Sequence, residues 1–138
     1  ASMKNFLKDL TAEHDFCHGF KESIAEPGGR ERLKDAIKDN PPVVHPVIRT
    51  HPITKRKAIF VNPLFTTKIN ELSKSESDAL LEFLYSYSIT PEFTCRFSWT
   101  PNSIAIWDNR CTLHKPINDY FPEHRLLERI TVDGDEPF

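Results

Sequence analysis

Cysteine is scarce in this 138-residue chain, which holds three, Cys17, Cys95 and Cys111, with no Cys-x-x-Cys pair. An odd, scattered set excludes a disulfide framework and fits a reducing compartment, so these side chains are expected to be buried as small apolar groups. A surplus of charge of either sign is also missing, because 18 basic and 20 acidic residues leave a net charge of -2. That removes the electrostatic footprint of a nucleic-acid partner or an anionic membrane surface. Long apolar runs are absent too. Stretches such as Ile104 to Trp107 and Ala58 to Val61 fall far short of the ~20 residues that cross a bilayer, and no charged-then-apolar signal segment opens the chain. A soluble, cytoplasmic protein without nucleic-acid or membrane partners is the expectation. There is no internal repeat and no low-complexity tract. A chain of this length forms one domain burying roughly 68% of its unfolded surface.

What is present is a chain that changes character along its length. Met3, Phe6, Leu7 and Leu10 have the spacing of one face of a helix over residues 1 to 10. Ala25 to Arg30 forms a loop, and a short helix with Leu33, Ala36 and Ile37 inward runs from there to Asn40-Pro41-Pro42. Val43 to Ile53 is β-branched but broken by Pro46 and Pro52, which predicts an edge strand or extended segment. Ala58 to Asn62 is the next strand, and Thr54 to Lys57 the polar tip of the hairpin. Ser73 with Glu76 three residues on is a capping box, followed by a helix burying Leu80, Leu84 and Tyr87. The last third is β-like. Phe93, Cys95, Phe97 and Trp99 alternate with polar residues, Thr100 to Asn102 turns the chain, and Ser103 to Trp107 returns it as a hairpin. Arg125 to Val132 is a further strand.

In that last strand Arg125, Leu127, Arg129 and Thr131 share a face, so both guanidiniums point the same way, with Cα atoms about 13 Å apart. Arg pairs bidentately with oxyanions and stays charged, and the span suits two different carboxylate- or sulfonate-bearing molecules. Two surface arginines paired to neighbours such as Glu128 is the competing interpretation. His114, at the end of a loop, is by itself a histidine of the kind more often hydrogen-bonded in a structural role than ligating a metal. A zinc module from Cys111 and His114 lacks the ligand spacing of such sites.

The order Trp107-Asp108-Asn109-Arg110, His114, Asp119-Tyr120, Arg125, Arg129 resembles the C-terminal signature of the taurine dioxygenase family, iron(II)- and 2-oxoglutarate-dependent oxygenases. Leu10-Thr-Ala-Glu-His-Asp-Phe16, Asn40-Pro-Pro, His45-Pro-Val-Ile-Arg-Thr-His-Pro52, Phe60-Val-Asn62, Phe65-Thr-Thr67 and Asp133-Gly-Asp135 resemble it in the same order, over essentially the whole chain. The resemblance implies a mainly β fold with flanking helices, part of a double-stranded β-helix or jelly roll. It implies that His114 is the distal histidine of a two-His-one-carboxylate triad, which leaves positions open for co-substrate and O2. Arg125 then salt-bridges the far carboxylate of 2-oxoglutarate and Arg129 grips the substrate sulfonate. Phe20, Phe65 and Trp107 line the substrate pocket, the first two on the resemblance alone.

The sequence departs from the family at two places. The other two ligands, a His-x-Asp pair, do not occur; His14-Asp15 are adjacent, the wrong spacing. The expectation is therefore that residues 1–138 are the C-terminal part of one domain whose N-terminal part carries that pair, with a truncated, inactive structural or interaction domain as the alternative. Lys115-Pro116 also departs from the pattern after the metal histidine. The implied reaction hydroxylates the carbon next to a sulfonate, taking taurine and O2 to aminoacetaldehyde and sulfite with succinate and CO2. An alkylsulfate or aryloxyalkanoate substrate is the alternative within the family, and the sequence does not decide between a monomer and a homo-oligomer.

Overall fold

The computed structural model describes residues 2–138. Its folded half is built around a short strand, β1 (Thr11–His14), at the centre of a three-stranded antiparallel sheet. Ala12 and His14 point inward while Thr11 and Glu13 stay half-exposed, the period of a strand covered on one face. On one side β1 pairs with β2 (Val43–Pro46), in the register Ala12 opposite His45. On the other it pairs with β5 (Thr66–Ile69), Ala12 opposite Ile69, with an irregularity between Glu13 and His14. A second sheet is the hairpin of β3 (Ile48–Thr50) and β4 (Lys57–Ile59). Val47 joins the two sheets. Its N–H donates to the Leu10 carbonyl at 2.9 Å and its own carbonyl accepts from Phe60 N–H at 2.8 Å.

Six helices flank these strands: α1 (Ser2–Leu7), α2 (Phe16–Gly19), α3 (Lys21–Ala25), α4 (Gly29–Arg32), α5 (Lys34–Asp39) and the long α6 (Lys74–Ser88). Asp15 caps α2 by accepting from Cys17 N–H at 2.8 Å, and the expected capping box starts α6, with Ser73 N–H donating to Glu76 at 2.9 Å. The core is Leu7, Leu10, Ala12, Val47, Val61, Ile69, Leu81 and Leu84. Ser77, buried on α6, accepts the Ile69 N–H at 2.8 Å and so locks that helix to β5.

Several expectations hold. β2 is an edge strand, β3 and β4 form the hairpin with Lys55 and Arg56 at its tip, and Asn40 ends α5, although β4 takes in Lys57 and stops at Ile59, short of the expected Asn62. Others need correction. In α1 only Leu7 is buried, and Met3 and Phe6 are exposed, since they face a shallow groove against Leu72, Ala79, Leu80 and Phe83. On α6 the buried residues are Ser77, Leu81 and Leu84; of the expected set Leu84 is buried and Leu80 is half-buried against the core, whereas Tyr87 is exposed and stacks with exposed Phe83. Cys95 and Cys111 are exposed and Cys17 half-buried, not core groups. β1 and β5 have no counterpart in the sequence reading, because four-residue strands of mixed polarity carry almost no periodic signal.

The largest correction concerns the last third. Beyond a 3-10 turn at Pro91–Phe93, residues 94–138 form no helix or strand. The turn at Thr100 to Asn102 exists, with Ser103 N–H donating to the Thr100 carbonyl at 3.0 Å, but the arms beside it are unpaired. Arg125 to Val132 is likewise irregular. Ile104, Ile106, Ile130 and Val132 are almost wholly exposed. Alternation defines which side chains share a face, but a strand needs a neighbour for its N–H and C=O groups and a layer for its apolar face. Among the described residues neither faces these segments, so the expected jelly roll does not close; the fold is two small antiparallel sheets with helices.

Candidate functional site

The expected site residues fall into three groups. Phe20, at the start of α3, stacks on Phe16 with ring centroids 4.4 Å apart and approaches Phe65 at 6.2 Å, so the two predicted pocket aromatics do meet. Both are half-buried. Trp107 and His114 also meet, with ring centroids 4.9 Å apart. The imidazole is exposed, and its ring nitrogens have no hydrogen-bond partner among the described residues. Arg125 is half-buried with its guanidinium carbon 5.3 Å from the centre of the Tyr120 ring, a cation–π contact. Arg129 is exposed, and no ion pair joins either arginine to Glu128 among the described residues. With Arg125 to Val132 irregular, the shared face expected for the two guanidiniums is not formed.

A second constellation, unmarked in the sequence reading, ties the His114 segment to the folded half. Asp108 accepts from Arg110 three times: from its N–H and Nε at 2.9 Å each and from Nη2 at 2.8 Å. Its other neighbour is His51, whose Nε2 lies 3.1 Å from Asp108 Oδ2. Arg110 first, then His51, hold the Asp108 carboxyl well below the usual carboxylate range. His51 Nδ1 accepts the N–H groups of Ile53 and Thr54 at 3.2 Å each. An acceptor at Nδ1 assigns the ring proton to Nε2, which donates to Asp108. His51, Asp108 and Cys111 offer ligand atoms within 4.8 Å of one another. As arranged, that is an ion-pair clamp and not a metal centre, since the His51 nitrogen facing Asp108 carries a proton and Arg110 occupies the carboxylate.

A buried polar cluster lies beneath. His14 and His45 face each other with ring centroids 5.4 Å apart, both against Phe60, and Arg49 lies over the same Phe60 ring at 5.0 Å. His14 Nδ1 meets Thr66 Oγ1 at 3.3 Å, while its Nε2 is buried without a partner among the described residues. Burial, and next the His45 ring, push the His14 imidazole down to about 4. The sequence signal for both features was the motif His45 to Pro52, quoted for its family likeness and not for what Arg49 and His51 touch.

Small antiparallel sheets flanked by helices, with a histidine and two arginines in order on the C-terminal segment, define the class in which to seek relatives. The chain belongs to the taurine catabolism dioxygenase TauD, TfdA family, whose model matches residues 1–131. It is 38% identical over 135 residues to the alpha-ketoglutarate-dependent sulfonate dioxygenase of Saccharomyces cerevisiae, covering 95% of this chain and 32% of that protein. It is 34% identical over 136 residues to the alkylsulfatase of Acinetobacter baylyi, covering 96% of this chain and 43% of that one. The crystal structure of a taurine dioxygenase from Burkholderia xenovorans superposes with a TM-score of 0.63 at 32% identity, over 80% of this chain and 32% of that one. The chain thus spans well under half the length of these relatives. No helix of the described residues is long and apolar enough to cross a membrane.

Proposed function

We propose that this chain is the C-terminal part of an iron(II)- and 2-oxoglutarate-dependent dioxygenase that hydroxylates the carbon next to a sulfonate. The observation that carries the reading is family membership together with the ordered set His114, Arg125 and Arg129. The donor chemistry supports it: no hydrogen bond among the described residues occupies the His114 imidazole, so a ring nitrogen is available to a metal. One imidazole is a third of the triad, and the remaining His-x-Asp pair belongs to the N-terminal part of the same domain. Paired with that part, residues 94–138 complete the strands of a jelly roll and bury Ile104, Ile106, Ile130 and Val132.

The bound metal and co-substrate supply the oxidation of a C–H bond by O2, with 2-oxoglutarate leaving as succinate and CO2. The chain's own residues do the positioning. Arg125 holds the far carboxylate of 2-oxoglutarate, and its contact with Tyr120 supports this by restricting the guanidinium. Arg129, free of ion pairs among the described residues, grips the substrate oxyanion. Phe20 and Phe65, in contact, form an apolar wall against the carbon chain, and Trp107 shields the metal ligand. With taurine the hydroxylated carbon loses sulfite and leaves aminoacetaldehyde. A sulfate ester is the second reading, favoured by the alkylsulfatase relative, because an arginine takes sulfate as readily as sulfonate.

The test is turnover by the whole protein with iron(II), ascorbate and 2-oxoglutarate across taurine, alkyl sulfates and aryloxy acids, read as succinate together with sulfite or sulfate. Sulfite release from taurine as the preferred reaction is expected. A preference for a sulfate or an aryloxy acid refutes the sulfonate assignment, and no substrate-dependent succinate with any of them refutes the enzyme.

A further inference from the structure

Three consecutive residues of one motif hold the C-terminal third to the folded half. The Arg49 guanidinium donates to the Asp135 carbonyl at 3.4 Å and lies 3.6 Å from its carboxylate. Thr50 N–H donates to the Phe138 carbonyl at 2.7 Å. His51 donates to Asp108. Among the described residues, the hydrogen bonds that join residues 95–138 to the folded half all end on these three.

The His51 contact lies nearest the chemistry. His51 is buried in the turn that closes the β3–β4 hairpin, and its ring is locked on one side by the N–H groups of Ile53 and Thr54. On its other side it holds the Asp108 carboxylate, while the Asp108 carbonyl gathers the next residues. That carbonyl accepts from Cys111 N–H at 3.2 Å, Thr112 N–H at 3.1 Å and Thr112 Oγ1 at 2.7 Å. His114 is two residues beyond Thr112. A continuous chain of hydrogen bonds therefore runs from the core hairpin through Asp108 to the backbone two residues before the imidazole.

We propose that His51 is a positioning residue, which through Asp108 sets where His114 presents its imidazole to the metal. The inference rests on the reading of His114 as a metal ligand. It assigns His51 no contact with metal or substrate. Loss of a partner hydrogen-bonded directly to a ligand costs about 10- to 100-fold in metal affinity, and His51, acting through Asp108 and the backbone of residues 111 and 112, is placed at the lower end of that range.

The experiment uses the whole protein. In its metal-free form, His51→Ala is expected to make the Cys111 and Thr112 amides exchange with solvent about tenfold faster, while His51→Gln, whose amide can donate to Asp108, restores slow exchange. In titrations with Mn(II), His51→Ala weakens binding about tenfold or more and His51→Gln recovers it. Val47→Ala controls for general destabilisation: it lowers the melting temperature but leaves the exchange at 111 and 112 as it was. Unchanged exchange in His51→Ala, or equal acceleration by Val47→Ala, overturns the proposal. So does weaker Mn(II) binding by Cys111→Ser, which marks His51, Asp108 and Cys111 as a metal site themselves. His114→Ala separates the two readings. If it abolishes Mn(II) binding while His51→Ala does not weaken it, positioning alone fails. If His114→Ala binds Mn(II) normally, the ligand assignment and this inference fall together.

Discussion

Acid should weaken this protein through one buried imidazole. His14 is 8% exposed and packed between the His45 and Phe60 rings; among the described residues Thr66 Oγ1 is its one side-chain partner and Nε2 is unpaired. Water is lost to the ring, and no carboxylate replaces it to balance a positive charge, so the neutral form is favoured and the group sits at about 4. In the unfolded chain it returns to an ordinary value near 6.5. The folded value is the lower one, so the unfolded state binds the proton more readily, and stability falls as pH drops through the window from about 6.5 to about 4. Over that window the loss approaches roughly 3 kcal/mol, and between pH 7 and 4.5 it is about 2 to 3 kcal/mol, a large share of a small domain's total. His45 is shifted in the same direction, chiefly by burial, and a comparison that keeps it in place isolates His14. The assay is urea unfolding at pH 7 and 4.5 of the natural protein and of His14→Gln, which cannot titrate there. The natural protein should lose about 2 to 3 kcal/mol more than the variant. Parallel losses, or titration of this ring near its ordinary value by NMR, would refute the argument.

Two further outcomes are expected. Ser77→Ala leaves the buried Ile69 N–H without an acceptor and should cost about 1–3 kcal/mol in urea unfolding, whereas an unchanged midpoint would mean that water replaces the hydroxyl. Arg125→Ala should raise the 2-oxoglutarate requirement far more than that for the substrate, and Arg129→Ala the reverse, in steady-state kinetics of the whole protein; equal effects of both on both ligands would contradict separate roles.

The parts of the fold that were legible beforehand are those with a local cause. The capping box at Ser73 and Glu76, the helix stop at Asn40, the proline-limited edge strand β2 and the hairpin from β3 to β4 each depend on residues within a few positions of one another. Along α6 Leu80, Leu81 and Leu84 all reach the core, and only the position of β5, which draws in Ser77, makes Leu81 the more deeply buried of the adjacent pair and leaves Tyr87 outside. At the candidate site, the family likeness named Phe20, Phe65, Trp107 and His114 one by one, while the contacts of Phe20 with Phe65 and of Trp107 with His114 were visible only in the structure. His51 escaped notice because its partner, Asp108, is 57 residues away and no spacing rule links them.

The order of side chains along the backbone was enough to identify the family, and that resemblance in turn nominated His114, Arg125 and Arg129, whose residue types and spacing alone left structural roles open. Tertiary structure alone decided which of those groups meet, because strand pairing and burial depend on partners far away in the chain. Arg49, Thr50 and His51 occupy adjacent positions, yet each reaches a different point of the C-terminal third. The apolar run from 104 to 107 and the same-face residues Leu126, Ile130 and Val132 favour extended backbone, but such a segment becomes a strand only where a neighbour pairs with it and another layer covers it.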